Sequence, residues 1–318
     1  MTCPLEYKPL GNTGLVVSTL CFGSLTIGPL QASLGLEEGA EVISYALEKG
    51  INFIDTAESY GNYAYIKKAL ARARTRVVVA TKSYAYTWEG MRDAVTRALD
   101  EMGLKSIDIF LLHEQEDEET LRGHQAALDY LLQAKKKGLV KALGLSTHRV
   151  KGVMAGAEHP HIEVIHPLFN MYGLGIQDGS AETMAAAVCY ARLRGKGIYA
   201  MKVLGGGNLA NQAYSAMRFG LDCPAFTSLA VGMKTKDEVD LNLAWVEGRR
   251  DRELEEKVKS SPRRLHIESW CQGCGECIEH CSSGALTLRD GVARVEEEKC
   301  ILCGYCSQYC PWFCIKVI

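Results

Sequence analysis

Eight of the 13 cysteines in this chain repeat one spacing pattern near the C-terminus, and this repeat constrains the local fold more than any other feature. The pattern CxxCxxCxxxC begins at Cys271 and begins again at Cys300, an offset of 300 − 271 = 29 residues. Gaps of two residues keep successive thiols in one tight loop, where several sulfur atoms converge on a small volume. Gly273, Gly275 and Gly304 suit such loops because glycine tolerates positive φ.

The duplicated pattern is the run that holds bacterial [4Fe-4S] clusters, in which the fourth cysteine of each copy ligates the other cluster. A zinc site would favour two separated CxxC pairs, and a disulfide framework would favour a secreted chain. We therefore predict two [4Fe-4S] clusters in a segment that resembles a two-cluster bacterial ferredoxin. The predicted ligands are Cys271, Cys274, Cys277 and Cys310 for one cluster, and Cys300, Cys303, Cys306 and Cys281 for the other.

The rest of the chain is long enough for one large barrel or two ordinary domains, because about 260 residues precede the cysteine pattern. The net charge of −2, with both signs interspersed, indicates neither nucleic-acid nor membrane partners. Neither a long apolar span nor a signal peptide precedes Leu5, so we expect a cytoplasmic chain. The cysteines outside the pattern are expected to act as small apolar residues; they are Cys3, Cys21, Cys189, Cys223 and Cys314.

Short β-branched runs alternate with longer amphipathic segments before the cysteine pattern, which is typical of βα units and a parallel sheet. The predicted strands are 19–22, 52–55, 77–81, 107–112, 140–145, 162–166, 197–201 and 227–231. The predicted helices are 37–49, 88–102, 119–137, 181–194 and 236–246. Eight strands are the number that a closed barrel requires. A doubly wound sheet, the alternative, would favour GxGxxG after its first strand, where the chain has only Phe22, Gly23 and Ser24.

We therefore predict an α/β fold with three parts. Residues 1–248 form a (β/α)8 TIM barrel, residues 249–267 a charged helical linker, and residues 268–318 a small α+β ferredoxin-like iron-sulfur domain. A helix along the whole linker would extend about 28 Å at 1.5 Å per residue. That length is about enough to return the chain to the active-site face, so we expect the C-terminal domain to form a wall of the pocket.

Residues just past the strand ends gather at one face of such a barrel and form its site. The segments DTAESY at 55–60, VATK at 79–82 and FLLH at 110–113 resemble the signature of the aldo-keto reductase family, and residues 10–18 resemble its opening hairpin. This resemblance implies that Tyr60 is the general acid, that His113 orients the carbonyl oxygen, and that Asp55 pairs with Lys82. A tyrosine has a pKa of about 10 in water, so we expect the Lys82 ammonium to lower the pKa of Tyr60.

The same resemblance implies a nicotinamide cofactor, with NADP(H) favoured over NAD(H) because of Lys234. Glu238 lies where NADP-preferring members commonly have arginine, and a carboxylate there would repel a 2′-phosphate. The triple glycine at 205–207 allows backbone amides to approach phosphate, although an ordinary flexible loop is an equal alternative. The predicted cofactor-binding residues are Ser146, Thr147, Asn170, Met201, Lys202, Leu204, Gly205, Gly232, Lys234, Thr235, Glu238 and Asn242.

Three functions fit these features. We predict an NAD(P)-dependent aldo-keto reductase-type oxidoreductase that interconverts a small-molecule carbonyl and an alcohol by hydride transfer. In the second function, the clusters relay electrons to an organic substrate. A flavin or a flavoprotein partner would be needed, because a hydride carries two electrons and a cluster passes one. No flavin motif is evident in the sequence. In the third, the barrel is a nicotinamide-binding redox sensor, although binding alone does not require a proton donor.

Overall fold

The computed structural model describes residues 5–318. A short hairpin of β1 (Tyr7–Pro9) and β2 (Val16–Ser18) precedes the main sheet. Eight parallel strands then close into a barrel. They are β3 (Leu20–Gly23), β4 (Phe53–Asp55), β5 (Val78–Ser83), β6 (Ile107–Leu112), β7 (Val140–Thr147), β8 (Val164–Pro167), β9 (Gly197–Met201) and β10 (Ser228–Gly232). The predicted barrel is confirmed, and the doubly wound alternative is wrong.

Helices surround the barrel because each strand is followed by an amphipathic segment that packs back on the sheet. They are α1 (Leu36–Glu48), α2 (Tyr63–Leu70), α3 (Trp88–Met102), α4 (Glu118–Gly123), α5 (Gln125–Lys136), α6 (Val150–Glu158), α7 (Ala181–Leu193), α8 (Ala213–Asp222), α9 (Lys236–Val246) and α10 (Arg252–Lys259). The helix predicted at 119–137 is two helices, because His124 ends α4 and bonds back to the Thr120 carbonyl at 2.8 Å.

The core has two layers because strand side chains alternate between the barrel interior and the helices. Along β6, Ile109 and Leu111 pack inside the barrel, whereas Phe110 and Leu112 pack against the helices. Cys21 is buried in the interior layer, as a small apolar residue would be. Cys3 lies outside the described residues.

The linker differs from its prediction. Its helix, α10, begins after the Asp251 cap and ends at Lys259, so a helix along all of 249–267 is wrong. Pro262 explains the end, because the residue before a proline disfavours helical geometry. Beyond it, β11 (Leu265–Ile267) pairs antiparallel with β14 (Ile315–Val317), so the C-terminal sheet begins inside the predicted linker.

The C-terminal part, residues 265–318, is called the iron-sulfur module below. It also contains the hairpin of β12 (Leu286–Arg289) and β13 (Val292–Val295), and the one-turn helices α11 (Glu276–Glu279) and α12 (Tyr305–Gln308). Each short helix follows a glycine with positive φ, Gly275 at 87° and Gly304 at 78°. Each copy of the cysteine pattern therefore contains the same local structure, a glycine with positive φ followed by a one-turn helix. Within residues 5–318, no helix has the length and apolar character needed to cross a membrane.

Candidate active site

Four predicted catalytic residues meet at the carboxyl ends of the strands. Lys82 donates hydrogen bonds to Asp55 Oδ2 at 2.7 Å and to the Thr56 carbonyl at 2.9 Å, and its side chain is 1% exposed. Its Nζ lies 5.0 Å from the centroid of the Tyr60 ring. The Tyr60 and His113 rings meet edge to face with centroids 6.3 Å apart. The sequence prediction therefore selected residues that the fold brings into one site.

Two buried residues that the sequence did not suggest hold Asp55 from the other side. Tyr199 donates its hydroxyl to Asp55 Oδ1 at 2.8 Å. His166 stacks on the Tyr199 ring at a centroid distance of 3.9 Å, and its Nδ1 contacts the Tyr199 carbonyl at 2.7 Å. Burial lowers the pKa of His166 to about 4, so the imidazole is neutral near pH 7. Both oxygens of Asp55 are thus engaged, which fixes the orientation of its ion pair with Lys82.

The titration of the site differs from the sequence expectation. Desolvation raises the pKa of Tyr60 well above its usual value, and the negative charges of Asp55, Glu114 and Glu268 raise it further. The expected net lowering by Lys82 is therefore wrong for this structure. Burial also lowers the pKa of His113 well below its usual value. The site accordingly holds a protonated phenol beside a neutral imidazole near pH 7.

His113 has an unused hydrogen-bonding atom. Its Nδ1 is buried and has no hydrogen-bond partner among the residues that the structure describes. The exposed ring of Tyr84 stacks on the imidazole at a centroid distance of 4.0 Å, which fixes the plane of the ring.

A cavity of about 230 Å³ extends from Tyr60 and Asp55 to the start of α9. Lys234, Glu238 and Arg263 line its far end. A groove of about 380 Å³, lined by Asn242, α10 and the linker, shares Glu238 and Arg263 with the cavity. Lys316, Val317 and Ile318 of the iron-sulfur module line the cavity itself. This confirms the prediction that the C-terminal part walls the pocket.

Each half of the module encloses a small cavity lined by cysteines from both copies of the pattern. One cavity is lined by Cys271, Cys274, Cys277, Cys310 and Cys314. The other is lined by Cys281, Cys300, Cys303 and Cys306. In the described part of the chain, no three His, Cys, Asp or Glu side chains are arranged around a single metal ion. The cysteines instead line the two small cavities.

The two cysteines that cross between the copies share one local geometry. The backbone amide of Cys314 donates to Cys310 Sγ at 3.2 Å, and that of Ala285 donates to Cys281 Sγ at 3.3 Å. Each donor lies four residues after its acceptor. Hydrogen bonds from Cys314 lower the pKa of Cys310, which favours the thiolate form that binds metal. The Cys314 thiol itself lies 3.7 Å from the Trp312 carbonyl.

Comparison with known proteins identifies the family to which the barrel belongs. The model of the aldo/keto reductase family matches residues 19–247, which include all eight barrel strands from Leu20 to Gly232. The chain belongs to the aldo/keto reductase family. A second model, the 4Fe-4S binding domain, matches residues 293–316, the second copy of the cysteine pattern. This aldo/keto reductase therefore carries an iron-sulfur domain.

Individual relatives resemble the reductase over limited stretches or at low identity. L-galactose dehydrogenase from Arabidopsis thaliana is 27% identical over 154 residues, which are 45% of this chain and 48% of that protein. The chain spans less than half the length of the first curated relatives that it matches. Aldo-keto reductase AKR11C1 from Bacillus halodurans superposes with a TM-score of 0.66 at 18% identity, over 80% of this chain and 95% of that one. The aldo-keto reductase of Bombyx mori in complex with NADP has a TM-score of 0.59 at 16% identity, over 80% and 92%.

The predicted cofactor residues of the reductase divide into two groups. Those that line the cavity are Met201, Lys202, Leu204, Gly232, Lys234 and Glu238, with Asn242 in the adjoining groove. The others make local contacts: Ser146 accepts from the Glu114 amide, Thr147 accepts from the Arg149 amide, Asn170 donates to the Leu174 carbonyl, Thr235 caps α9, and Gly205 packs under Leu209. His166 and Arg263 line the cavity although the sequence did not suggest them.

The triple glycine at 205–207 packs directly against the last strand, β14. A Cβ on Gly207, whose φ is +86°, would lie 1.9 Å from the Val317 carbonyl oxygen, and one on Gly206 would lie 2.6 Å from Lys316 Cδ. Asn208 also donates to the Ile315 carbonyl at 3.1 Å. The glycines thus allow β14 to lie directly on the loop after β9. This close contact replaces the flexible loop that the sequence left open.

The far end of the cavity changes the role expected for Glu238. Its Oε2 accepts the Lys234 amide at 2.6 Å, and burial raises the pKa of the carboxyl group. Arg263 from the linker lines the same end and acts electrostatically on Glu238. Arg263 of the linker therefore places a positive charge near the carboxylate of Glu238, which belongs to the barrel.

Proposed function

We propose that this aldo/keto reductase interconverts a carbonyl and an alcohol on a small molecule with NADP(H). The observation that carries the proposal is the buried Lys82–Asp55 pair beside Tyr60, with a neutral His113 opposite. Reduction of a carbonyl leaves an alkoxide that needs a proton from a nearby acid. A protonated Tyr60 supplies it, and Lys82 stabilises the phenolate that remains.

Each residue of the site has a distinct role in this proposal. A neutral imidazole donates one hydrogen bond without adding charge, so His113 orients the carbonyl oxygen. Tyr84 keeps the His113 ring in its plane, and Tyr199 keeps Asp55 directed at Lys82. Val317 and Ile318 close one side of the cavity, which excludes water from the reacting groups.

The residues at the far end of the cavity fit a nicotinamide nucleotide. Lys234 and Arg263 supply positive charge for phosphate, and Asn242 Oδ1 is a buried acceptor without a partner among the described residues. Two cations at this end favour NADP(H) over NAD(H), and the similar Bombyx mori protein was solved with NADP. When bound, the cofactor supplies or accepts the hydride.

The iron-sulfur part of the proposal is two [4Fe-4S] clusters. The cavity lined by Cys271, Cys274, Cys277 and Cys310 would hold one, called the pocket-side cluster because β14 connects it to the active site. The cavity lined by Cys281, Cys300, Cys303 and Cys306 would hold the other, the outer cluster. The four predicted ligands in each cavity match the ligand number of a cubane, and Cys314 lines the first cavity as a fifth cysteine.

One observation favours electron relay as a second candidate function. Trp312 and Cys314 line the pocket-side cluster cavity, and Phe313 between them lies 5.2 Å from Lys202 Nζ, which lines the active-site cavity. The segment that lines the cluster cavity therefore also packs against a lysine of the active-site cavity. A flavin or a flavoprotein partner would be needed to convert a two-electron donor into one-electron steps.

The two candidates are tested without oxygen on protein with loaded clusters. NADPH and NADH are each mixed with the protein, first alone and then with a panel of carbonyl compounds, while cofactor and cluster absorbance are followed together. Carbonyl-dependent oxidation of the cofactor with unchanged clusters supports the reductase. Cluster reduction without any carbonyl supports the relay instead.

A further inference from the structure

Two lysines from different parts of the chain face the active-site cavity together. Lys202 follows β9 of the barrel, and Lys316 belongs to β14 of the iron-sulfur module; both line the cavity. The ring of Phe313 contacts both ammonium groups, with its centroid 5.2 Å from Lys202 Nζ and 3.1 Å from Lys316 Nζ. Lys202 adopts a φ of +59°, a conformation that a non-glycine residue rarely adopts.

The contacts of both ammonium groups are neutral. Lys202 Nζ lies 2.9 Å from His148 Nε2, and burial lowers the pKa of His148 well below its usual value. Lys316 donates to the Phe313 carbonyl and is 4% exposed. Within residues 5–318 neither ammonium is within ion-pair distance of a carboxylate. Glu114 and Glu268, the latter 9% exposed, act on Lys202 only at longer range, and Glu268, Cys310 and Cys314 act on Lys316 in the same way.

This arrangement is unfavourable without a ligand. Burial lowers the pKa of Lys202 to about 8 and that of Lys316 well below its usual value. Desolvating a cation costs free energy unless an opposite charge compensates it. Two desolvated cations that line one cavity and contact the same Phe313 ring therefore favour a bound anion near both.

Lys202, although the sequence assigned it to the cofactor, lies near the residue that would orient the carbonyl. Its Nζ lies 2.9 Å from His148 Nε2, which lies 3.6 Å from Oε1 of Glu114, the residue after His113. The charge of Lys202 also helps to lower the pKa of His113. Lys234 and Arg263, the cations assigned above to the nucleotide, line the same cavity and act electrostatically on Glu238. Lys202 also follows Met201 directly, at the end of β9 inside the barrel.

We propose that Lys202 and Lys316 form an anion subsite for the substrate, and that the substrate is a small oxo acid whose carboxylate lies between them while its carbonyl lies at Tyr60 and His113. The proposal rests on the proposed function and names its substrate class. It also gives the iron-sulfur module a direct role, because the barrel alone supplies only half of the subsite.

Binding is tested first with a probe that cannot be reduced. Oxamate, a carboxylate analogue of a 2-oxo acid, and its neutral relative oxamide are titrated calorimetrically into cluster-loaded protein with saturating NADP⁺. Oxamate should bind and oxamide should not. Lys202→Met and Lys316→Met should each weaken oxamate at least about tenfold, whereas Lys136→Met, an exposed lysine at the end of α5, should leave it unchanged. The visible cluster spectrum of each variant verifies its fold.

Two results would overturn the proposal. One is equal oxamate affinity in the wild type and in both cavity variants. The other is loss of oxamate binding when NADP⁺ is present, together with lysine-dependent binding of inorganic pyrophosphate, because this would assign the lysines to the cofactor. Lys316→Arg keeps the charge and should restore most of the affinity that Lys316→Met loses.

Kinetics separate this proposal from the proposed function. With a 2-oxo acid and its neutral amide as substrates, the wild type should prefer the acid in kcat/KM, and Lys202→Met should remove the preference chiefly through KM. If no carbonyl compound is turned over while oxamate binding keeps its lysine dependence, the proposed function fails and the anion subsite stands. If neutral carbonyls are reduced as well as oxo acids and the variants change neither, the subsite fails and the reductase function stands.

Discussion

Lys82 and Asp55 form an ion pair of 2.7 Å in the barrel interior, with both side chains no more than 6% exposed. The pair is placed by neighbouring strands, since Asp55 ends β4 and Lys82 lies near the end of β5. Tyr199 occupies the second oxygen of Asp55, so the lysine is held in one position. That position lies beside the Tyr60 ring, where a fixed positive charge stabilises a phenolate.

Replacement of Tyr60 by phenylalanine tests the proton donor. Tyr60→Phe removes the hydroxyl and keeps the ring, so we expect turnover of a carbonyl substrate to fall by about 10²-fold or more. Cofactor affinity, measured by fluorescence titration, should change little. Tyr86→Phe is the matched control because Tyr86 is 64% exposed. Unchanged turnover in Tyr60→Phe would exclude Tyr60 as the acid.

Removal of one partner of the ion pair should be more damaging than removal of both. Lys82→Met leaves Asp55 buried without its cation, which we expect to cost about 3–5 kcal/mol. The double variant Asp55→Asn with Lys82→Met should lose less stability than Lys82→Met alone, because it leaves no buried charge unpaired. Anaerobic urea unfolding, monitored by circular dichroism, gives the unfolding midpoint of each variant and hence their order of stability. Additive losses would show that the two residues do not depend on each other.

The crossed ligand assignment predicts which cluster each cysteine variant loses. Cys310→Ala should remove the pocket-side cluster and Cys281→Ala the outer one, so the iron content of each variant should fall to about half that of a protein with two cubanes. Cys314→Ala is the matched control. It lines the same cavity as Cys310, but its amide supports the Cys310 sulfur and survives the substitution. Iron loss in Cys314→Ala comparable to that in Cys310→Ala would make Cys314 the fourth ligand.

Substitution of Gly207 tests the contact between the triple glycine and β14. Gly207→Ala places a Cβ 1.9 Å from the Val317 carbonyl oxygen, so β14 must move away from the loop. We expect faster hydrogen exchange at residues 315–317 and lower turnover, because Lys316 leaves the cavity wall with the strand. Gly248→Ala has a similar positive φ, +74°, but nothing within 4 Å of the new Cβ. Equal exchange in both variants would mean that backbone strain, not the clash, sets the effect.

The sequence predicted the barrel well because its signals are local. Strand β6 and helix α3 have the predicted bounds, since apolar periodicity and the Thr87 cap define them within a few residues. The sequence also identifies Asp55, Lys82 and His113 as site residues for the same reason, since each lies at or near the end of a strand.

The missed features depend on contacts between distant segments. Tyr199 and His166 act on Asp55 only through the register of strands across the barrel, and Arg263 and Lys316 reach the cavity only because the linker returns the module to the barrel face. The prediction for the pKa of Tyr60 is wrong because desolvation and the charges of Asp55, Glu114 and Glu268, which the sequence does not reveal, raise it. The linker helix was overestimated because charge and periodicity continue beyond the residues that Pro262 allows to be helical.

The most direct test of the central claim follows a deuterium label from the cofactor to the product. NADPH with deuterium in place of both hydrogens at the reactive nicotinamide carbon is incubated without oxygen with cluster-loaded protein and a 2-oxo acid, and the product is analysed by mass spectrometry. Direct hydride transfer places one deuterium on the new alcohol carbon for each cofactor oxidised, leaves the cluster absorbance unchanged, and gives little product with Tyr60→Phe. Unlabelled product formed together with reduced clusters would contradict it and assign the chemistry to electron transfer through the iron-sulfur module.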